Sequence, residues 1–289
     1  MLIIIYFILN SIILSLLLLY TAGLSTILVR ENWIGILSVE EIILFAITLE
    51  LLIMGLGASN LGAYLLKLFN HSRKPTNAES SRINSLIQMV VAKHNQKLNT
   101  NYTNNQFIVN ISDSLSPNIY VYGRQYIVFT TGLVTLVNDE ELKAIIASEL
   151  GHIWYHDATA DTIKVFASCP IILSNWLFKF VRSITNSASG LNKLALIAGI
   201  VMSIIFLPIV LFGELIRRVL LAIDTLLNKN RVYRADNFAS KLGYKDGLIS
   251  ILNKLALLNI KSDNIFHYLF TSRPSSKQRI TKLESKTHL

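Results

Sequence analysis

Asn138-Asp139-Glu140-Glu141-Leu142, followed by Ser148-Glu149-Leu150-Gly151-His152, is the stretch on which the reading of this chain turns. Asn138 can cap a helix, Glu141 stands three residues on at the capping-box position, and an acidic first turn suits the positive end of a helix dipole. The spacing predicts a helix that starts at Asn138 and runs through His152. On it Leu142, Ile145, Ile146, Glu149, Leu150 and Ile153 fall on adjoining faces, so Glu149 projects from an apolar neighbourhood where a carboxylate is suited to proton transfer. Ser148 to His152 reads as H-E-x-x-H with its first histidine replaced. In the intact motif two imidazoles one turn apart hold Zn²⁺, and the Glu between them deprotonates the metal-bound water. Here the base and one ligand remain, and a hydroxyl stands where the other ligand should be.

Outward from this helix, residues 75–162 read as a globular α+β unit. Ser80 to Leu98 has apolar residues at Ile83, Leu86, Ile87, Val90 and Val91, the spacing of a helix packed on one side. Phe107 to Ile111, Ile119 to Tyr122 and Tyr126 to Thr130 are short β-rich runs, the last two joined through Gly123-Arg124 as in a hairpin.

The flanking sequence belongs in a membrane. Hydrophobic residues make up 52% of the chain and charged ones 16%, with a mean hydropathy of +0.47. Leu2 to Val29 carries no charge and exceeds the about 20 apolar residues a spanning helix needs. It reads as an uncleaved anchor rather than a signal peptide, which would have a basic start and a shorter apolar run. A second apolar run, Ile42 to Phe69, is interrupted by Glu50 and three glycines; an intramembrane carboxylate usually faces a bundle interior. Lys67, His71, Arg73, Lys74 and Arg82 follow it, whereas only Arg30 precedes it among Glu31, Glu40 and Glu41. If the membrane is a bacterial inner membrane, the region after the second helix is expected in the cytoplasm. The net charge of +9 then reads as membrane-side bias, and no nucleic-acid-reading motif is present. Cys169 is the only cysteine, so no intrachain disulfide forms.

Several separated segments resemble one family. Pro117 to Gly123, Val128 to Leu133 and Asn138 to Leu142 are similar to the lead-in of HtpX-like membrane zinc metallopeptidases, relatives of the CAAX prenyl proteases. Glu149 to Ile153 with Asp157 matches the family's H-E-L-G-H-I…D apart from the first letter. Arg231-Val232-Tyr233-Arg234-Ala235-Asp236 resembles its R-E-Y-x-A-D segment, and Leu269 to Pro274 with Arg279-Ile280 resembles its L-F-S-T-H-P…R-I signature. The resemblance implies a mainly helical α+β, gluzincin-like peptidase domain with about four membrane spans. It implies two N-terminal spans in 1–69, a first cytoplasmic half in 70–162, a membrane hairpin in 163–222 and a second half in 223–289. Within 163–222, Leu194 to Gly213 reads as a span that Pro208 can kink. Val165 to Phe178 is short for a crossing, but Tyr233 to Asp236 must return to the helix of Glu149, so crossings between them come in even number. Both runs crossing, with Ser183 to Asn192 as the external turn, satisfies this. A separate helix is expected from Arg231 to Leu242, and another from Asp246 through Leu258.

The resemblance also exposes a second departure: the family's third zinc ligand is the Glu of E-Y-x-A-D, and Val232 occupies that position. Catalytic zinc sites usually keep three protein ligands and a water, so His152 alone is not expected to hold the ion, and Asp236 lacks the metal it would support. His156, one turn beyond His152, offers a shifted pair with Asp157 and Asp161 nearby, although Glu149 then precedes both ligands rather than lying between them. A Ser148/His152 nucleophile pair is disfavoured, because serine nucleophiles sit on sharp turns beside an oxyanion hole.

The expectation is a membrane pseudopeptidase without a cofactor. It would bind peptides or membrane proteins as a regulatory or scaffold component, within the bilayer and a larger membrane complex. The resemblance implies Asn118, Ile119 and Tyr120 as the strand edge that takes the peptide, Glu149 as a vestigial base and, were the protein an enzyme, Tyr233 or a neighbouring donor to stabilise the oxyanion. The competing expectation is an active zinc endopeptidase in membrane-protein quality control, using the shifted site.

Overall fold

The computed structural model describes residues 2–29, 38–101, 103, 106–188, 193–258 and 274–285. Its elements are α1 (Leu2–Val29), α2 (Val39–Ala58), α3 (Asn60–Phe69), β1 (Ser72–Arg73), α4 (Asn77–Leu98), β2 (Ile108–Ser112), β3 (Ile119–Tyr122), β4 (Tyr126–Thr130), α5 (Thr131–Leu136), α6 (Asp139–Trp154), α7 (Asp157–Ala167), α8 (Cys169–Ala188), α9 (Lys193–Lys241), α10 (Lys245–Leu257) and α11 (Ser276–Ser285). The fold is α+β and mainly helical. It divides into one unit of Met1–Gly57 and Ile163–Ile223 and another of Ala58–Thr162 and Asp224–Leu289.

In the first unit α1 packs on α8. Among the described residues two stretches are long and apolar enough to cross a bilayer, Val39–Ala58 and Asp157–Phe180, and α1 adds the shorter apolar stretch Ile3–Leu19. Helix α2 comes close to α7 at Gly57, where a Cβ would stand 3.0 Å from the Ile163 backbone.

The second unit is built on a four-stranded sheet of order β1-β2-β4-β3. β2 and β4 run parallel, with Ile111 opposite Phe129, while β1 and β3 flank them antiparallel. All five β4 residues are buried, as befits a central strand. Helices α4, α6 and α10 cover the sheet, and one core joins Ile83, Ile87 and Val90 of α4 to Ile127 and Phe129, to Leu142 and Ile146 of α6, and to Leu248 and Ile251 of α10.

Helix α6 starts as its sequence demands. Asn138 Oδ1 accepts from the Glu141 N–H at 2.9 Å, and Glu141 Oε2 accepts from the Asn138 N–H at 3.0 Å. The Glu141 carboxylate also binds α10, accepting from Ser250 Oγ at 2.6 Å and Lys254 Nζ at 2.7 Å. One capping residue therefore fixes both where the helix begins and what it packs against. Helix α4 has the same device at Thr76 and Glu79. That T-x-x-E signature places its start at Asn77, three residues before the apolar spacing alone does.

The hairpin forms with Ile119 opposite Phe129 and Tyr122 opposite Tyr126. Gly123 adopts φ +61° in its turn, where its N–H donates to Thr162 Oγ1 at 3.0 Å. At the other end Thr130 Oγ1 donates to the Asn118 carbonyl and accepts from the Asn118 and Leu133 N–H groups. Thr130 thus closes the hairpin and caps α5 at once.

Four expectations need correction. The run from Ile42 to Phe69 is two helices, because Ser59 takes an extended conformation and its side chain accepts from the Gly62 N–H at 3.2 Å, capping α3 afresh. The stretch Val165 to Phe178 is not short for a crossing, because it lies within Asp157–Phe180, which is long enough to cross with a turn at Ser168 between α7 and α8. The expected external turn begins as helix, since α8 continues to Ala188, and residues 189–192 lie outside the described ones. Arg231 to Leu242 is not a separate helix but the last part of the 49-residue α9, which carries Pro208 within it. Nothing between 214 and 230 punctuates the helix, since that stretch holds neither Gly nor Pro. It ends at Gly243, with φ +85°.

Candidate functional site

The centre of the second unit is the crossing of α6 and α9, and a glycine permits it. A Cβ on Gly151 would stand 3.1 Å from the Ala235 Cα and 3.2 Å from the Phe238 Cβ. With hydrogen there instead, the helices close until Ser148 Oγ donates to Asp236 Oδ1 at 3.1 Å. Asp236 is buried and also accepts from Arg279 of α11, from Nε at 2.8 Å and from Nη2 at 2.6 Å. Burial opposes the charge on Arg279, yet Asp236 holds the guanidinium above its ordinary value, and Glu149 and Tyr233 act in the same direction. Ser148, Glu149, Tyr233, Asp236 and Arg279 therefore form one electrostatic neighbourhood drawn from three helices.

His152 stands on the same helix as Ser148, and its Nδ1 lies 3.3 Å from Asp157 Oδ2. In the tautomer with the proton on Nδ1 the ring donates to Asp157, which fixes its orientation. The buried Asp157 carboxylate is tied in turn to α9, where Arg234 Nη2 lies 3.0 Å from Oδ1 and Arg231 Nε 3.7 Å away. Arg234 also lies over the Tyr155 ring, 4.2 Å from its centroid. The corner between α6 and α7 is thereby pinned to α9 by ions as well as by apolar packing.

A small cleft of about 70 Å³ opens beside this network. Asn118 and Ile119 line one side, Ser148, Glu149 and Arg279 the polar end, and Leu248, Ile251, Leu252 and Leu255 of α10 the apolar wall. The structure therefore brings Asn118, Ile119 and Glu149 to one cavity. Tyr120 is not among its lining residues; its ring stacks on Tyr122 with centroids 6.3 Å apart. Val232 is buried and Tyr233 is half-buried.

The shifted pair lacks its expected geometry. Helix α6 ends at Trp154, Tyr155 is its C-cap, and His156 is exposed at φ +61°. His152 and His156 are therefore not one turn apart on a continuous helix, and the i, i+4 spacing does not make them neighbouring ligands. Among the described residues no group of three or more His, Cys, Asp or Glu side chains is placed to hold a metal ion.

Sequence reasoning missed three parts of the site. Arg279 entered only as a signature letter, yet it is the main partner of Asp236. Asp157 entered as a letter of the family's H-E-L-G-H-I…D and as a neighbour of the shifted pair, with no role assigned, yet it orients His152. The α10 wall carried no motif; its signal was the apolar spacing Leu248, Ile251, Leu252, Leu255. Of the C-terminal signature, residues 269–273 lie outside the described ones.

Comparison with known proteins gives a consistent picture. Residues 77–287 match the model of peptidase family M48. A protease HtpX homolog of Dictyoglomus turgidum is 31% identical over 196 residues, covering 60% of this chain and 61% of that protein. Protease HtpX of Buchnera aphidicola subsp. Schizaphis graminum is 30% identical over 186 residues, covering 56% and 60%. The crystal structure of S. mikatae Ste24p is similar at 20% identity and a TM-score of 0.47, covering 92% of this chain and 61% of that one. The chain spans about three fifths of the length of the curated relatives it matches.

Proposed function

Because this chain belongs to peptidase family M48, we propose that it is an HtpX-like membrane member that has lost zinc and proteolysis, and that binds peptides or membrane-protein segments as a regulatory or scaffold component. The observation that carries the reading is the hydrogen bond from Ser148 to Asp236, a carboxylate already engaged twice by Arg279. The position of the first imidazole ligand is thus spent on holding helices together, and the position of the carboxylate ligand is the aliphatic Val232. One imidazole, His152, is left of the three strong donors that a catalytic zinc site uses. The residues present do not fit the ion, and without it Glu149 has no metal-bound water to deprotonate.

Peptide binding needs none of these donors. β3 is the last strand in the sheet order, and an extended segment can add to such an edge through backbone hydrogen bonds. The cleft beyond Asn118 and Ile119 gives an alternate side chain of that segment an apolar wall of leucines to bury against. Lys67, His71, Arg73 and Lys74 follow α2 closely, which supports a cytoplasmic location for the second unit in a bacterial inner membrane. The partners of this reading are the bilayer, a peptide or membrane-protein client and a larger membrane complex.

The test is to titrate fluorescent apolar peptides onto the purified protein with and without a chelator, and to follow their length. The expected result is saturable binding unaffected by the chelator, with every peptide intact. Cleavage that the chelator abolishes would overturn the proposal.

A further inference from the structure

Helix α3 is apolar on its buried side and also carries large apolar residues on its exposed side, which a water-facing surface does not explain. A surface helix normally turns its large apolar residues to the core. In α3 the inward side holds Gly62, Ala63 and Leu66, all buried, and the helix packs on the β3–β4 hairpin. A Cβ on Gly123 would come within 2.9 Å of the Ala63 Cβ, and the Tyr64 and Tyr126 ring centroids are 6.3 Å apart. The outward side is large and apolar: Leu61, Tyr64, Leu68 and Phe69 are 57%, 41%, 47% and 65% exposed. At 100° per residue these four lie within one continuous face.

The neighbouring sequence says what covers that face. Helix α2, long and apolar enough to span a bilayer, ends at Ala58, and α3 begins at Asn60 with only Ser59 between them. The exposed stripe therefore starts, at Leu61, three residues after the end of a segment long and apolar enough to span the membrane. Lys67 lies at the margin of the stripe with Nζ 5.5 Å from the Tyr64 ring centroid. Tyrosine at headgroup level and a lysine stem lying along apolar surface are the anchors used at a bilayer boundary.

We propose that α3 is an interfacial helix, lying along the bilayer surface with Leu61, Tyr64, Leu68 and Phe69 sunk to the boundary of headgroups and acyl chains. Its occupant is lipid, and its effect is to moor the β3–β4 hairpin at the membrane. The inference rests on the membrane reading of α2.

The test uses the full chain carrying Cys169→Ser, reconstituted in phosphatidylethanolamine/phosphatidylglycerol vesicles, with a nitroxide attached to single cysteines. Leu61→Cys and Leu68→Cys report on the stripe, Leu52→Cys on the spanning helix, and Gln88→Cys on an exposed position of α4. Collisions with oxygen, which concentrates in lipid, are compared with collisions with a water-soluble nickel chelate. Labels at 61 and 68 are expected to show an oxygen-to-nickel ratio several-fold above that at 88. A ratio equal to that at 88 would overturn the proposal in favour of water, and poor access to both reagents would overturn it in favour of a covering protein. If the label at 52 also failed to report lipid, the membrane reading itself would fall; lipid at 52 without lipid at 61 and 68 would sink the interfacial helix alone.

Discussion

The Asp236 carboxylate is shared by two other helices, accepting one hydrogen bond from Ser148 of α6 and two from Arg279 of α11. Removing its charge strands a largely buried guanidinium, and breaking one side of a buried ion pair costs about 3–5 kcal/mol. Asp236→Asn is therefore expected to lower the heat-unfolding midpoint in detergent strongly, whereas Ser148→Ala, which removes one neutral donor, should cost about 1 kcal/mol. An unfolding midpoint for Asp236→Asn equal to that of the unaltered chain would deny the network its structural role. At Glu141, burial pushes the carboxyl up, but Lys254, Ser250 and the Asn138 N–H outweigh it and hold the group below its ordinary value. A carboxyl depressed in the folded state stabilises above its unfolded pKa of about 4.3 and loses that contribution as pH falls through the folded value. The stability difference between the natural chain and Glu141→Gln should be full at pH 7 and shrink steadily below about pH 4. A pH-independent difference would contradict the assignment.

At the scale of elements, glycines decide how closely the site's walls approach. A methyl on Gly132 would stand 2.0 Å from the Leu115 carbonyl oxygen, and the Gly132 N–H donates to Ser114 at 2.9 Å. Gly132→Ala must displace the segment that leads into Pro117 and Asn118, costing about 3 kcal/mol by the scale of overpacked cores, and it should weaken peptide binding as well. Gly55→Ala, where an added methyl meets nothing within 4 Å, is the neutral comparison. Equal unfolding midpoints for the two variants would refute this. The elements legible in the sequence were those with local punctuation: the capping pair Asn138/Glu141, the hairpin around Gly123 and the stop at Gly243. The break at Ser59 was not read, because hydropathy is continuous across it and only a side-chain cap marks it. Nor was the continuity of α9, since the resembling segment within it starts at Arg231 while the helix starts at Lys193. That Glu149 and His152 share one helix was legible from spacing. The pairing of Asp236 with Arg279, 43 residues apart, was not, because it exists only once three helices meet.

On the whole-molecule scale, the fold class and the presence of apolar, membrane-length helices followed from composition and pattern, which sum over many residues and tolerate local error. If α3 moors the hairpin to lipid, the β3 edge works where membrane clients emerge from the bilayer. A segment joined to its own spanning helix in the same vesicle is then held at high effective concentration. Its half-saturation should fall on the order of 10-fold or more below that of the same peptide in solution; equal values would argue for soluble clients.

Metal content bears on the central proposal most directly. Purified natural chain and a Ser148→His, Val232→Glu double variant, prepared side by side with zinc supplied and loosely held ions removed, are analysed for bound zinc per chain. The account predicts far less than one zinc in the natural protein and about one in the variant, since three donors are then available. Stoichiometric zinc in the natural chain would contradict it.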